Sequence, residues 1–188
     1  MPLTAKRRST GEVICILDYE APRRDVPADD LVCPFCGERM ILRAGPLRAA
    51  HFAHRRRCAY EGWYEPESAE HRAFKEAVWR YLKADAFWEE GQVEMEVPIP
   101  EARRVADLLV TFPNGWRVAH ECQVSRIGLE ELKARSGAYL DAGIDVLWWF
   151  THERLREARK WLPGWLLRFQ GVVLEGYIRL EVGEEEEL

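Results

Sequence analysis

The sequence predicts a mixed α/β domain preceded by a small module rich in cysteine and histidine. Three observations lead to this fold class: a Cys/His cluster within residues 33–58, alternating helix-like and strand-like segments after residue 66, and the turn sequence Pro113-Asn114-Gly115 between two apolar runs. At 188 residues the chain can form one compact domain and one small appendage. We assign residues 1–62 to an N-terminal strand and the Cys/His module, and residues 63–188 to the larger domain with its acidic C-terminal tail.

The composition, 47% hydrophobic and 31% charged residues, is typical of globular proteins that bury a core. No apolar run reaches the length of a membrane-spanning helix, and no apolar stretch follows the basic residues Lys6, Arg7 and Arg8. We therefore expect a cytoplasmic protein with no membrane partner. In a reducing compartment its five cysteines are better suited to metal binding than to disulfides.

The charge is distributed unevenly along the chain. The formal net charge is -5, yet residues 1–58 hold eleven Lys or Arg and seven Asp or Glu, a net of +4. Affinity for nucleic-acid phosphates comes largely from such basic groups. Arginines within and beside the Cys/His cluster therefore form either a surface that grips a nucleic-acid backbone or a solvated basic loop. They are Arg43, Arg48, Arg55, Arg56 and Arg57.

Helix and strand signals alternate along the larger domain. Helical patterns cover residues 68–82, where Ser68 is a suitable N-cap, and residues 129–142, where Gly143 is a suitable stop. A third helix is expected at residues 153–162. Strands are predicted at residues 12–18, 92–99, 104–112, 116–124 and 145–150, with one or two more within 165–182. The order after residue 66 is thus α-β-β-β-α-β-α.

The Cys/His cluster has the spacing C-x2-C-x14-H-x2-H-x3-C. Zinc takes four tetrahedral nitrogen or sulfur ligands, and Cys33 and Cys36 supply two of them from one tight turn. The other two come from His51, His54 and Cys58. We favour His54 and Cys58, with His51 as either an alternative ligand or a polar neighbour. Four protein ligands leave no open position for water, so this zinc ion is expected to be structural.

The turn Pro113-Asn114-Gly115 fixes how the two strands around it pair. A three-residue loop of this kind is a type I turn followed by glycine in the left-handed region. Counting back along both strands places Asp107 opposite Glu121 on one sheet face, with Cβ atoms about 5 Å apart. Side chains alternate along a strand, so Gln123 shares that face.

Two carboxylates this close repel each other unless a counter-charge lies beside them. Mg²⁺ or Mn²⁺ is a suitable counter-charge, because hard cations prefer oxygen ligands and phosphate substrates. A pair of solvent-facing acids is the alternative. However, Asp107 lies in the apolar run at residues 105–110, where an unpaired buried charge is costly. Asp107 and Glu121 are therefore candidate ligands of a catalytic metal ion, and Gln123 is the third candidate site residue.

Several short motifs resemble those of the competence protein CoiA-like nucleases. They are CPFC, MILR, HFAH, ES-x-x-H-x-x-x-K at residues 67–75, ADLLV and HECQVS, followed by Arg135, Tyr139 and the 143–148 run. Together they span residues 31–150. The resemblance implies a restriction-endonuclease-like core of the PD-(D/E)xK type, with the order α-β-β-β-α-β, and an N-terminal zinc-binding β module. It also implies a link to DNA taken up in natural transformation.

The resemblance further implies a nuclease that hydrolyses phosphodiester bonds of DNA. Asp107 and Glu121 would hold Mg or Mn with help from the Cys122 carbonyl, and Gln123 would orient a water molecule. The wider superfamily commonly has lysine where this chain has Gln123, and glutamine brings no positive charge to the transition state. DNA is the expected partner, together with recombination or competence proteins.

Glu67, His71 and Lys75 are spaced four residues apart, so a helix beginning near residue 67 aligns them on one stripe. Given the resemblance, that stripe faces the metal site. His71 would then contact phosphate or act as an acid, and Lys75 would supply the cation that Gln123 lacks. The alternative is a row of surface ion pairs between neighbouring helical turns.

Two other functions remain open from sequence. The first is a catalytically inactive DNA-binding protein on a nuclease fold, which the net acidity and the missing lysine favour. The second is a nuclease directed at RNA. The register that sets Asp107 opposite Glu121 argues against the inactive DNA-binding protein.

Overall fold

The computed structural model describes residues 2–45, 48–58, 67–158, 160 and 172–175. Within these residues the chain forms three β-sheets and four α-helices. Two small sheets come from the N-terminal third, and one five-stranded sheet comes from the remainder. The helices, in chain order, are α1 (Pro22–Asp25), α2 (Ala69–Ala84), α3 (Leu129–Asp141) and α4 (His152–Ala158).

The first sheet is antiparallel and has the strand order β2-β1-β3. Its strands are β1 (Thr4–Arg7), β2 (Val13–Cys15) and β3 (Leu31–Val32). The sequence does not predict β1. The strand predicted at residues 12–18 is shorter than expected, because the chain turns into a 3-10 helix at Ile16–Asp18.

The second sheet is an antiparallel hairpin of β4 (Met40–Gly45) and β5 (Arg48–His54). Met40 pairs with His54, and both Met40 and Phe52 are fully buried. The Phe52 N–H donates to the Pro2 carbonyl at 2.9 Å. This bond ties the hairpin to the segment that enters β1.

Helix α2 begins as the sequence predicts. Ser68 is its N-cap: the backbone there is extended, and the hydroxyl accepts the His71 N–H at 3.0 Å. Glu67 therefore precedes the helix and is not on its stripe, which corrects the expectation of a helix beginning near residue 67. The helix ends at Ala84, two residues beyond the predicted end.

The central sheet has the order β10-β9-β8-β7-β6. Strands β6, β7 and β8 form an antiparallel meander, and β8, β9 and β10 are parallel. Helix α3 connects β8 to β9, as a parallel pair requires. The strands are β6 (Gln92–Ile99), β7 (Arg104–Thr111), β8 (Arg117–Gln123), β9 (Asp145–Phe150) and β10 (Val172–Glu175).

The element order after residue 66 is α2-β6-β7-β8-α3-β9-α4, which confirms the predicted succession of helices and strands. Helix α3 ends as expected, since Gly143 has a φ of 69° and closes it in the left-handed region. Helix α4 ends at Ala158 within the described residues; of the rest of its predicted range only residue 160 is described, and it is a turn. Of the strands expected within 165–182, β10 is described and the other positions are not.

The hairpin turn between β7 and β8 has the predicted geometry. The Phe112 N–H donates to the Trp116 carbonyl at 2.8 Å, and Gly115 has a φ of 84°. The pairing continues in the predicted register as far as Leu108 opposite His120. The backbone pairing ends at that pair, one residue before Asp107 and Glu121, so the predicted pairing of these two residues is not part of the ladder.

The central sheet is packed on both faces. Leu108 joins an apolar cluster with Leu82 of α2, and this cluster continues into the N-terminal sheets. Trp148 joins a second cluster with Leu132 and Tyr139 of α3. No helix among the described residues combines the length and apolar character needed to cross a bilayer.

Candidate functional site

Asp107 lies one residue beyond the last backbone pair of β7 and β8. There its carboxylate, and not a backbone carbonyl, accepts a backbone N–H of β8. Its Oδ2 accepts the Cys122 N–H at 2.9 Å and lies 3.1 Å from His71 Nε2. One carboxylate thus joins three elements: β7, β8 and α2. The sequence prediction placed His71 and Asp107 at one site, and the structure brings them into direct contact.

The His71–Asp107 pair shifts the titration of both groups. Burial lowers the pKa of His71, but the hydrogen bond and charge of Asp107 outweigh it and raise that pKa above its ordinary value. Burial raises the pKa of Asp107, but the His71 hydrogen bond leads the opposing effects and the pKa lies below its usual range. The pair therefore favours a protonated imidazole beside an ionised carboxylate.

Glu121 is 1% exposed and is held by two side chains of α3. The Tyr139 hydroxyl donates to its Oε1 at 2.5 Å, and the Arg135 guanidinium donates to its Oε2. Burial raises the pKa of Glu121 to about 7, even though Arg135 pulls that pKa down. The Arg135 guanidinium also lies 4.9 Å from the centroid of the Trp148 ring.

Lys75 is 3% exposed and lies between two carboxylates. Its Nζ is 2.7 Å from Glu67 Oε1 and 2.8 Å from Glu96 Oε1. Burial alone lowers the pKa of Lys75, but the charges of Glu96, Asp107 and Glu67 raise it above its ordinary value. Glu67 thus reaches Lys75, although it lies outside the helix.

Glu96 is a site residue that sequence reasoning missed. Side chains alternate between the two faces of a strand, so Glu96 is expected on the same face of β6 as the exposed Gln92 and the half-buried Glu94. That face is the one expected to meet solvent. Glu96 is instead 5% exposed. No local signal in the sequence reveals this burial.

Gln123 lies on β8 two residues beyond Glu121 and is 4% exposed. Its Nε2 donates to the carbonyl and to the hydroxyl of Ser125, both at 2.9 Å. The amide nitrogen therefore secures the loop that follows β8. The side-chain oxygen remains the atom that could orient a water molecule.

The charge arrangement differs from the one expected from sequence. Asp107 and Glu121 do interact, since the Asp107 charge helps to raise the pKa of Glu121, but each also has a basic partner from a helix. His71 partners Asp107, and Arg135 partners Glu121. These partners already provide counter-charge that the sequence argument assigned to a metal ion.

The acids nevertheless offer ligands suited to a hard divalent cation. Among the described residues, no donor contacts Oδ1 of Asp107, so this oxygen is available. Glu121 has both oxygens engaged and would share or exchange one hydrogen bond on binding a cation. Carboxylate oxygens are the ligands that Mg²⁺ and Mn²⁺ prefer.

The Cys/His cluster forms a separate centre. The ligand atoms of Cys33, Cys36, His54 and Cys58 lie within 4.8 Å of one another, and this group could hold a metal such as zinc. Tetrahedral bonds of about 2.3 Å place ligand atoms about 3.8 Å apart, so only a small adjustment is required. His51 is buried outside this group, with its Nδ1 2.9 Å from the Ala49 carbonyl.

The arginines near the Cys/His cluster are largely solvent-accessible. Arg43, Arg55, Arg56 and Arg57 have exposed side chains, whereas the side chain of Arg48 lies outside the described part of the chain. Arg72 of α2 donates to the Ala50 carbonyl of β5 at 2.8 Å. This contact fastens the hairpin that carries His54 to the helix that carries His71.

Comparison with known proteins connects both centres to one family. The sequence model described as Competence protein CoiA, nuclease-like domain, matches residues 67–168, and that of Competence protein CoiA, N-terminal domain, matches residues 23–61. The chain is 27% identical over 126 residues to Competence protein CoiA of Bacillus subtilis (strain 168). That alignment covers 66% of this chain and 32% of the relative, so the chain spans about a third of the relative's length. No solved structure matches.

The two matched regions divide the functional residues between them. The N-terminal match encloses the four-residue Cys/His group, and the nuclease-like match encloses Asp107, Glu121 and their partners. The nuclease-like match alone covers more than half of the 188 residues. As the sequence motifs predicted, the chain belongs to the competence protein CoiA family.

Proposed function

We propose that the protein is a metal-dependent nuclease that hydrolyses phosphodiester bonds of DNA on a restriction-endonuclease-like core. The observation that carries this proposal is the contact of His71 with Asp107, one residue beyond the last backbone pair of β7 and β8 and near the buried Glu121. An imidazole and two carboxylates thus belong to one group of side chains. The nuclease-like domain match supports the same conclusion.

Each residue has a role in the proposed reaction. Asp107 and Glu121 would hold Mg or Mn, which offsets phosphate charge and makes water more acidic. His71, whose pKa is raised above its ordinary value by Asp107, donates a hydrogen bond or a proton to the substrate. The Gln123 side-chain oxygen orients water. Lys75 is buried between two carboxylates and acts on Asp107 through its charge, not by contact with DNA.

The Cys/His group would hold a structural zinc ion that stabilises the β4–β5 hairpin. The exposed arginines around it, Arg43, Arg55 and Arg56, then form a surface for the DNA backbone. Phosphate contacts of this kind position nucleic acid without reading its sequence. Recombination or competence proteins are the proposed protein partners, on the strength of the family.

A cleavage assay tests this function. Purified protein is incubated with single-stranded, duplex and branched DNA, and with RNA of matching sequence, in Mg²⁺, Mn²⁺ or chelator. We expect metal-dependent cleavage of DNA. Asp107→Asn and Glu121→Gln should each abolish cleavage while leaving DNA affinity unchanged or tighter, because each removes a negative charge near phosphate. Glu94→Gln, on β6 away from the paired acids, is the control and should cut at the wild-type rate.

The same assay defines the results that contradict the proposal. Cleavage by both carboxylate variants at the wild-type rate would show that these acids do not form the active site. Cleavage of RNA in preference to DNA would show that the enzyme is a ribonuclease. Binding of DNA without cleavage in either metal ion would support the second candidate function.

That second candidate is a DNA-binding protein that has lost catalysis. The specific observation in its favour is that Arg135 and Tyr139 already occupy both oxygens of Glu121, so the folded protein needs no divalent ion to neutralise this acid. Isothermal titration with Mg²⁺ or Mn²⁺ separates the two candidates. Binding that disappears in Asp107→Asn favours the nuclease, and absence of binding favours the scaffold.

A further inference from the structure

Glu96 interrupts the edge strand of the central sheet at the level of Asp107. Met95 pairs with Leu108 and Val97 pairs with Ala106, so the residue between them lies across from Asp107. Glu96 has a φ of 53°, a left-handed conformation that non-glycine residues seldom adopt. Local strain of this kind persists only where the surroundings hold it in place. Because of this conformation, the Glu96 side chain points into the protein, although the alternation along β6 predicts that it faces solvent.

The buried Glu96 carboxylate accepts four hydrogen bonds. Its Oε2 accepts the Leu3 N–H at 2.8 Å, the Thr4 N–H at 3.2 Å and the Thr4 hydroxyl at 3.1 Å. Its Oε1 accepts from Lys75 Nζ at 2.8 Å. Three donors thus come from the segment entering β1, more than ninety residues away in sequence, and the fourth comes from α2.

The segment that reaches Glu96 is hydrogen-bonded to residues of both N-terminal sheets or next to them. The Leu3 carbonyl accepts the Ile16 N–H at 2.8 Å, next to β2 in the first sheet, and the Pro2 carbonyl accepts the Phe52 N–H of β5. Glu96 therefore joins the N-terminal module to the nuclease-like domain through buried polar contacts, in addition to the contact of Arg72 with the Ala50 carbonyl.

We propose that Glu96 is a positioning residue that holds Lys75 beside Asp107, and that the N-terminal segment at Leu3 and Thr4 is a working part of the candidate site because it fixes Glu96. This inference rests on the proposed function. Without the Leu3 and Thr4 donors, the strained backbone conformation of Glu96 would lose the hydrogen bonds that stabilise it. Without Glu96, Lys75 keeps one carboxylate partner and its position is no longer defined.

Lys75 has a role at the site that does not require access to substrate. It is doubly paired, so its ammonium cannot contact a phosphate without leaving a buried carboxylate unpaired, which is costly. Glu96, which accepts from Lys75, lies across the sheet from Asp107. The position of Lys75 therefore depends on Leu3 and Thr4 of the other module, which hold Glu96.

Labelling of Lys75 provides a test that does not depend on catalysis. The protein and its variant Glu96→Gln are treated briefly with an amine-acylating reagent, and modification of Lys75 is quantified by peptide mass spectrometry. Loss of a hydrogen bond to a charged group should increase local opening, and hence labelling, by about tenfold. Glu94→Gln, a change of the same kind two residues away on β6, should leave labelling at the wild-type level.

A second variant keeps the test decisive if Glu96→Gln does not fold. Thr4→Val removes one of the four donors and keeps the shape of the side chain, so it should increase Lys75 labelling in the same direction by a smaller factor. Equal labelling in wild type and in the folded variants overturns the proposal. So does an equal increase in Glu94→Gln.

Cleavage kinetics separate this proposal from the proposed nuclease function. If the wild type cuts DNA, Glu96→Gln or Thr4→Val should lower kcat and leave KM unchanged, because the DNA-binding surface is intact. A change confined to KM would contradict a positioning role. If the wild type does not cut, the nuclease assignment fails, and the labelling result alone decides whether Glu96 and the N-terminal segment position Lys75.

Discussion

Arg135 of α3 is hydrogen-bonded to Glu121 of β8, and both side chains are buried. A guanidinium on a helix thus balances the acid that would bind the divalent metal. This pairing allows the site to fold before a metal ion arrives, because Glu121 is not left as an isolated buried charge. It also means that a metal ion and Arg135 must share the same carboxylate.

Replacing Arg135 should therefore make stability depend on metal. In Arg135→Met, the metal-free protein should lose about 3–5 kcal/mol of unfolding free energy, because one partner of a buried ion pair is removed. Added Mg²⁺ should restore more stability to this variant than to the wild type. Chemical denaturation with Mg²⁺ and with chelator measures both effects.

An exposed arginine provides the control for that comparison. Arg126→Met breaks the surface pair with Glu157 and should change the unfolding free energy by less than about 0.5 kcal/mol. A small loss in Arg135→Met, equal to that of Arg126→Met, would show that Glu121 does not depend on Arg135.

Zinc content tests the assignment of the Cys/His group. Protein purified without added metal should contain about one zinc ion per chain, and His54→Gln or Cys58→Ser should lose the ion and unfold at lower temperature. His51→Gln is the matched control, because His51 lies on the same strand but contacts the Ala49 carbonyl. Loss of zinc in His51→Gln, with retention in His54→Gln, would reverse the assignment.

Chelation should also distinguish the two proposed metal sites. Thiolate-bound zinc should resist a brief mild chelator that strips a carboxylate-bound Mg²⁺. Cleavage should then disappear while circular dichroism shows an unchanged fold, and it should return with Mg²⁺ or Mn²⁺. Simultaneous loss of fold and cleavage would mean that one of the metals is assigned to the wrong residues.

The hairpin of β7 and β8 could be predicted because its information is local. The Pro113-Asn114-Gly115 turn dictates the loop geometry, and the loop dictates which residues of the two strands oppose each other. Counting along the strands identified Asp107 and Glu121 as candidates, and the observed register agrees with the predicted one up to Leu108 and His120. The end of the pairing was less accessible to prediction, because beyond Leu108 the Cys122 N–H donates to the Asp107 side chain.

The burial of Glu96 and the role of Arg135 could not be predicted from sequence patterns. Glu96 is turned inward by a backbone conformation that depends on Leu3 and Thr4, which lie far away in the chain. Arg135 reaches Glu121 because α3 packs on the central sheet, where Leu132 and Tyr139 share a cluster with Trp148 of β9. Such contacts arise from tertiary packing, and no helix or strand period encodes them.

Variants of Gln123 can distinguish its role in holding the loop after β8 from its proposed role in catalysis. Gln123→Ala removes both hydrogen bonds to Ser125 and should cost about 1–3 kcal/mol of unfolding free energy and most of the cleavage activity. Gln123→Lys retains a donor for Ser125 and restores the residue common in the superfamily, so some cleavage should survive. Parallel measurement of unfolding and cleavage distinguishes the two effects.

Ser125→Ala provides the control for the loop. It removes the hydroxyl and keeps the carbonyl that Gln123 contacts, so the loss of stability should be smaller than in Gln123→Ala. If Gln123→Ala cuts DNA at the wild-type rate, Gln123 serves the loop alone and has no part in orienting water.

His120 should make stability fall in acid. It is fully buried, its Nδ1 accepts the Trp149 indole N–H at 3.0 Å, and burial lowers its pKa to about 3. The unfolded chain binds a proton at about pH 6.5, whereas the folded protein resists protonation until near pH 3. Stability contributed by neutral His120 is therefore full above pH 6.5 and is lost progressively as the pH falls below it.

The variant His120→Leu should flatten this dependence. It should be less stable than the wild type at pH 7 by about 1–3 kcal/mol, because the Trp149 N–H loses its acceptor. Between pH 5.5 and 4, however, its unfolding free energy should fall less steeply than that of the wild type. The two slopes should differ by about 1.4 kcal/mol per pH unit, because the variant takes up one proton fewer on unfolding. Trp149→Phe is the matched control: it loses the same hydrogen bond but keeps the buried imidazole, so it should retain the steep slope. Equal slopes in wild type and His120→Leu would show that His120 is protonated in the folded protein.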